Sequence, residues 1–561
     1  MSLSALKRLS WLVQSEQRMA DLVVIGSGLT GASIALDAAS RGIHTLVIDE
    51  KDVQANRNGR STTFLTHSLS LAMNGNWKLL RHIRREQQLI AKVAPNLLEP
   101  VSVYVPFRQK DSTSHHPDNV RSRFYSWLTN IGNGERPARL NYTLAKDTEP
   151  LLGLNQLQGA GIFNTYDIDE CRLTMELLKT AVQYGAFVMN YCKIEHYLYE
   201  GEQISGVVIR DLLGNRSFRI RARSVINAAG IQTQSFMYMD NKQSTGTLPL
   251  KQCTQIIVPH NRLPLKQAFY EQYEEHLHGL ERMTILPRGD LTYISDYSQS
   301  TSHIPDSVTM TSIERDQLLQ KVNRLFPAAR LKPEDVRSGG IGLRLPTVYA
   351  EKTPSLSTMN TPFHQSPSGL ISIMGEPLWG YRILAEQIVN LAAEQIFKQI
   401  GKNFSDSRTD TLPLCGTPRP SLLQAVNEQQ EEVKQQQEDE LAAEWSSRYG
   451  VHAKRLLAQL RKADWEQHLS KQFKVLTLKQ YVELYYAVHE EMVSTPCDYI
   501  ERKLQSLPES IDNIEQWTAD ITEAMSQWIG WSLPRKAGLK EQARSTAERI
   551  ILCNSLEDSI P

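Results

Sequence analysis

The chain has 561 residues, 62 basic and 62 acidic, so its formal charge is zero. That balance excludes an electrostatic nucleic-acid partner, and the length exceeds what one core organises, so two or three domains are expected. No apolar run approaches the ~20 residues of a membrane-spanning helix, and the six cysteines (Cys171, Cys192, Cys253, Cys415, Cys497, Cys553) show no CxxC pair or metal-like spacing. Free thiols in a reducing compartment follow, with no metal expected and a cytoplasmic location.

Leu3, Leu6, Leu9 and Val13 recur at helical spacing, so residues 1–20 predict a short amphipathic helix. It either caps the protein's own core or lies on a membrane surface as a peripheral anchor. Leu9 to Val13 is too short for a signal segment.

The stretch Asp21 to Asp49 organises the chain. Leu22 to Ile25 is an apolar run fit for a strand buried on both faces. Gly26-Ser27-Gly28-Leu29-Thr30-Gly31 follows, then the helical pattern Ala32 to Ser40, a stop at Gly42 and a second strand from Thr45 to Ile48. This is strand, glycine turn, helix, strand. Gly26 permits the tight turn, Gly28 admits a pyrophosphate close to the backbone, and Gly31 lets the helix pack on the strand. The free N–H groups of Ser27, Thr30 and their neighbours at the helix start, with the helix dipole, suit phosphates. Asp49, eighteen residues after Gly31, is placed to accept ribose hydroxyls. A dinucleotide site is expected; the bland alternative is a glycine turn kept only for packing.

A polar loop, Asp52 to Thr63, precedes a helical stretch from Trp77 to Val93. Glu170 to Gly185 reads as an amphipathic helix. Alternating strands follow at Phe187 to Asn190, Ile194 to Tyr199, Ile204 to Arg210 and Phe218 to Ala222, leading into Ser224-Val225-Ile226-Asn227-Ala228-Ala229-Gly230. An apolar strand ending in Ala228-Ala229-Gly230 brings backbone close to whatever lies beyond it. Residues 245–335 alternate short apolar runs with turns and suggest a second sheet. Gly369 to Gly375 resembles a strand and glycine turn ahead of a helix from Arg382 to Ile400. Past Asp406 the composition shifts. Gln424 to Glu440 is polar and reads as a solvated helix rather than a coiled coil, since no apolar heptads run through it. Beyond it, Trp465, Trp517, Trp528 and Trp531 fall at core-like intervals in an all-α region.

Several unusual motifs in this order resemble the FAD-dependent glycerol-3-phosphate dehydrogenases and α-glycerophosphate oxidases. They are VVIGSGLTGASIALDAASRG, the GRST of Gly59 to Thr62, YDIDECRLT from Tyr166, GVVIRD from Gly206, SVINAAG, GLRLP from Gly342, GYR from Gly380, YYAVHEEMVSTPCDYIERK from Tyr485 and GWSLPRK from Gly530. The resemblance covers nearly the whole chain. It implies an α/β fold: a Rossmann-like FAD domain, an α+β substrate domain with an antiparallel sheet, and an all-α C-terminal domain. The FAD domain should take roughly 21–100, 160–245 and 335–400, the substrate domain 101–159 and 246–334, and the helical domain 405–555. It further implies FAD held by Gly26, Ser27, Gly28, Thr30, Gly31 and Asp49, with Arg60, Ser61, Thr62, Ala229, Gly230, Gly375 and Arg382 near the flavin. Such enzymes pass the C2 hydride of glycerol 3-phosphate to the flavin and leave dihydroxyacetone phosphate. Quinone at the membrane, or oxygen, then reoxidises the flavin, and a homodimer is left open.

The chain departs from that family at the substrate. Arg344 fills the arginine of a GxRP-like turn and is the expected catalytic contact. A second clamp arginine falls near Met359, a lysine at Pro377 beside Glu376, and the proton-accepting histidine at Gln255. The stretch after GRST has lost a lysine, two glycines and an arginine, His67 lies one place off the family histidine, and Ser295 to Gln299 replaces a GTTDT loop. Ala55 to Gly59 replaces a small-residue run near the flavin. Each charge-assisted phosphate contact contributes ~1.5–3 kcal/mol, and a general base ~10²–10⁴ in rate. The substrate site therefore reads as eroded. Two rival readings stand beside it: a flavoenzyme for a non-phosphorylated hydroxy or amino substrate, and a non-catalytic flavin-binding or structural paralogue.

Overall fold

The computed structural model describes residues 2–53, 77–108, 138–242, 250–275, 279–301, 310–345, 362–375, 378–417, 435–461, 472–502 and 513–551. The chain enters through a 3₁₀ turn, Ala5–Lys7, and helix α1 (Arg8–Gln17). Trp11 and Leu12 are buried in the main core, and Trp11 stacks on Phe187 at 5.3 Å between ring centroids. Arg8 pairs with Asp211 at 2.6 Å. The helix thus caps the protein's own core, leaving Leu6 and Leu9 46% and 59% exposed.

Strand β1 (Ala20–Ile25), helix α2 (Leu29–Ser40) and strand β2 (Thr45–Ile48) come next. β1 and β2 pair in parallel, Leu22 opposite Thr45 and Ile25 opposite Ile48. α2 is buried along nearly its whole circumference, because it is wedged between the sheet and two later helices. Small residues make that possible; seven of its twelve positions are glycine, alanine or serine, which let neighbours approach.

Helix α3 (Trp77–Val93) leads into the second sheet through β3 (Leu98–Arg108), β4 (Ala138–Asn141), helix α4 (Tyr142–Thr148) and β5 (Leu157–Ile168). The chain then returns to the first sheet through helix α5 (Glu170–Gln183), capped by Asp169 accepting from the Arg172 amide at 3.0 Å. β6 (Phe187–Met189), β7 (Cys192–Glu200), β8 (Gln203–Asp211) and β9 (Arg216–Asn227) follow. The separate strands expected at Phe218 and Ser224 are one continuous strand. Its first half pairs antiparallel with β8 and its second half parallel with β1, so no turn is needed between them.

Helix α6 (Thr233–Asp240) connects to β10 (Leu250–Pro259), β11 (Ala268–Glu275), β12 (Gly279–Arg288) and β13 (Leu291–Thr301), then helix α7 (Ser312–Leu325) and β14 (Ser338–Arg344). The second sheet runs β14-β10-β13-β12-β11-β3-β5-β4. β3 and β14 belong to it, although both begin in segments expected with the nucleotide-binding part. β14 is recruited because its Gly339 to Leu343 run pairs along β10. Its alternate faces carry different cores. Ile256 and Val258 of β10, with Ile341 and Leu343, pack toward α7, whereas Ile257 joins the core of the first sheet.

β15 (Phe363–Gln365) and β16 (Ile371–Ile373) complete the first sheet in the order β15-β16-β9-β1-β2-β6, with β7 and β8 attached through β9. Helix α8 (Tyr381–Ile400) lies across α2 and ends at Gly401, φ +65°. The remainder is helical: α9 (Gln435–Tyr449), α10 (Ala453–Leu460), α11 (Leu478–Glu490), α12 (Pro496–Arg502), α13 (Ile514–Ile529) and α14 (Leu533–Ile551). Trp517 is fully buried there and Trp528 and Trp531 are partly so; Trp465, like most of Gln424 to Glu440, lies outside the described residues.

Candidate functional site

The ends of β1, β2 and β9 converge on one open cleft. Gly26, Gly28 and Thr30 line one side, Asp49 to Asp52 another, Ala228 to Gln232 a third, with Leu343, Leu345, Ile373 and Gly375 closing it. Two of the glycines are steric requirements. Gly26 has φ +101°, and a Cβ there would meet the Ala228 carbonyl oxygen at 2.5 Å; a Cβ on Gly31 would lie 1.9 Å from the Gly26 oxygen. Gly28, by contrast, has nothing within 4 Å of the Cβ position, so a ligand has room to reach the backbone. The first N–H groups of α2 point into this space without helical acceptors, a ready cradle for a pyrophosphate.

Asp49 closes the turn from β2. Its Oδ2 accepts from the Ser27 amide and from Ser27 Oγ, each at 2.7 Å, and Oδ1 from the Lys51 amide at 3.0 Å. Burial pushes its carboxyl upward and the Ser27 bonds oppose that. A carboxylate has about four acceptor positions, so these three bonds leave capacity for a ribose hydroxyl. The tie between Ser27 and Asp49 was not anticipated from sequence, yet both residues stand in the motif that was singled out.

These residues therefore come together: Gly26, Gly28, Thr30, Asp49, Ala229, Gly230 and Gly375 line the cleft, with Ser27 and Gly31 just behind. Arg60, Ser61, Thr62 and His67, and likewise Met359, Glu376 and Pro377, lie outside the described residues. Arg382 stands apart from the cleft, holding Glu86 through Nε and Nη2 at 3.0 Å each. Its neighbour Tyr381 is buried in the core, and the helical rotation turns Arg382 toward α3.

The face of the second sheet that looks toward α5 carries Lys251, Cys253 and Gln255 of β10, opposite Arg344, Gly342 and Gly340 of β14. Arg344 is 7% exposed, and both of its Nη atoms reach Glu170 Oε2 at 3.3 Å. Glu170 begins α5, so this pair bridges the two sheets. Gln255 donates to Ser295 Oγ at 2.8 Å. The Cys253 thiol, hydrogen-bonded to Tyr297, is pushed up to about 12 by burial, which the nearby Arg344 only partly offsets. Neither Gln255 nor Cys253 can accept a proton at neutral pH. Glu170, Lys251 and Cys253 were not singled out from sequence, because only the ladder between β10 and β14 places them beside Arg344.

Residues 21–385 match the family model described as FAD dependent oxidoreductase, and residues 407–536 that of the C-terminal domain of alpha-glycerophosphate oxidase. The aerobic glycerol-3-phosphate dehydrogenase of Staphylococcus saprophyticus is 28% identical over 548 residues, 96% of this chain and 97% of that protein. A Staphylococcus aureus enzyme of the same name is 29% identical over 521 residues, 91% of each. Among solved structures, the glycerol-3-phosphate dehydrogenase of Bacillus halodurans complexed with FAD superposes with a TM-score of 0.77 at 26% identity, covering 99% of this chain and 100% of that one.

Proposed function

For a chain that belongs to the FAD-dependent oxidoreductase family, in its glycerol-3-phosphate dehydrogenase and oxidase branch, we propose FAD-dependent oxidation of glycerol 3-phosphate with a slowed proton-transfer step. The observation that carries the cofactor half is the convergence of Gly26, Gly28, Asp49, Ala229, Gly230 and Gly375 on one cleft. FAD, when bound there, would supply the hydride acceptor. Gly28 and the α2 N-terminus would hold its pyrophosphate, Asp49 its ribose, and the Ala228 to Gly230 backbone would limit how deep it sits.

The substrate half rests on Arg344. It lies next to Lys251 across the ladder, and the two cations offer an anion a place at the edge of the second sheet. Glu170 fixes the Arg344 guanidinium and also takes up part of its charge, which weakens its hold on a phosphate. Gln255 orients without accepting a proton. Loss of a base at that position costs ~10²–10⁴ in rate, so turnover is expected to be slow rather than of the usual order.

The test is the visible spectrum of the purified protein, before and after anaerobic glycerol 3-phosphate at millimolar concentration. A yellow protein that bleaches over minutes is the expected result. A yellow protein that stays oxidised would discard the substrate, and a protein that remains colourless after incubation with FAD would discard the whole reading.

A further inference from the structure

We propose that Glu176, Cys415 and His452 form a binding site for one zinc-class divalent ion, which ties three distant segments of the chain together. Glu176 lies on α5, Cys415 in the linker after α8, and His452 in the turn before α10. One ligand atom from each lies within 4.8 Å of the others. A carboxylate oxygen, a thiol sulfur and an imidazole nitrogen are a mixed donor set that suits zinc and its neighbours and disfavours magnesium or calcium.

The second observation is His452 itself. It is 7% exposed, and its Nε2 is buried without a hydrogen-bond partner. Buried polar atoms in folded proteins nearly always have one, and a metal would supply it. The carboxylate of Glu176 is divided between two tasks. Oε1 accepts from Arg172 and Lys179, while Oε2 accepts from the Cys415 thiol at 2.8 Å. The cations hold one oxygen, and the other is held by the S–H whose proton a metal would displace.

The backbone is shaped to bring these groups close. A Cβ on Gly416 would lie 2.8 Å from Glu176 Oε2, and one on Gly450 would lie 1.7 Å from the Gly416 oxygen. On metal uptake the Cys415 S–H bond breaks, its proton leaves to solvent and a sulfur–metal bond forms, with no change of oxidation state.

The full-length protein, freed of metal with a chelator, would be titrated with Co²⁺ as a spectroscopic probe and then with Zn²⁺. The expected result is a thiolate-to-cobalt charge-transfer band saturating at one ion per chain and abolished by Zn²⁺. Cys415→Ser should lose the band, and His452→Gln should weaken binding by more than the roughly 10–100-fold that outer-shell changes alone produce. Absence of a saturable band in the unmodified protein overturns the proposal without reference to any variant. So does an undiminished band in Cys415→Ser or, where that variant does not fold, unchanged affinity in His452→Gln.

Discussion

The cofactor cleft and the neighbouring face of the second sheet meet at β14, where Leu343 and Leu345 line the cleft and Arg344 does not. They are made of different materials. The cleft's phosphate-facing part is built of backbone, a glycine turn, a helix start and a strand end, with Asp49 as its one polar side chain that the nucleotide reading uses. The opposite face is built of side chains, Arg344 on Glu170 and Gln255 on Ser295, each bonded to a partner far away in the chain. A backbone site survives changes of sequence as long as its glycines stay. A side-chain site can lose its chemistry while the fold around it is undisturbed.

The sharpest break in that comparison would come from Arg344→Met. It strands Glu170 in a buried position, and removing one partner of a buried pair costs about 3–5 kcal/mol, read as a lower midpoint in urea denaturation. A variant as stable as the parent would show that the bridge between the sheets is not structural. Gly31→Ala strikes the cleft instead. Its Cβ would collide with the Gly26 carbonyl, costing about 3 kcal/mol, and the purified protein should lose its flavin absorbance; retained colour with full affinity would contradict the close packing of α2. The smallest effect, and the only gain, is expected for Gln255→His. Placing an imidazole on the substrate face should raise the rate of flavin reduction by roughly 100-fold, the low end of what a general base contributes. The cofactor affinity should not change, because the cleft is built elsewhere. A change in affinity without a change in rate would dissolve the distinction between the two regions.

Local periodicity made much of the fold legible. The run from β1 to β2 declares itself because buried strand, glycine turn and apolar helix follow one another without interruption. α5 and α8 were legible for the same reason, since each has an apolar face at helical spacing. What stayed hidden depends on long-range pairing. Nothing near Arg344 in sequence indicates Glu170, 174 residues earlier. β14 falls in the 335–400 segment that the family resemblance gives to the FAD domain, yet its partner is β10. Arg382 stands in the GYR motif that the resemblance places near the flavin, yet its Nε and Nη2 hold Glu86. The absence of metal-like spacing around the cysteines was equally uninformative about Cys415, whose neighbours come from two other segments.

One interaction at the rim of the cleft joins it to the C-terminal helices. Asp52 lines the cleft and is 4% exposed; its carboxylate is gripped through two hydrogen bonds, at 2.7 and 2.6 Å, by Arg502, which lies 450 residues further along. Arg502 ends α12, so this wall of the nucleotide cleft is neutralised from the helical C-terminal region and not from the segments that carry the nucleotide motif. A buried carboxylate stripped of its cation is costly, so a change in that helical region reaches the cofactor cleft through a single ion pair.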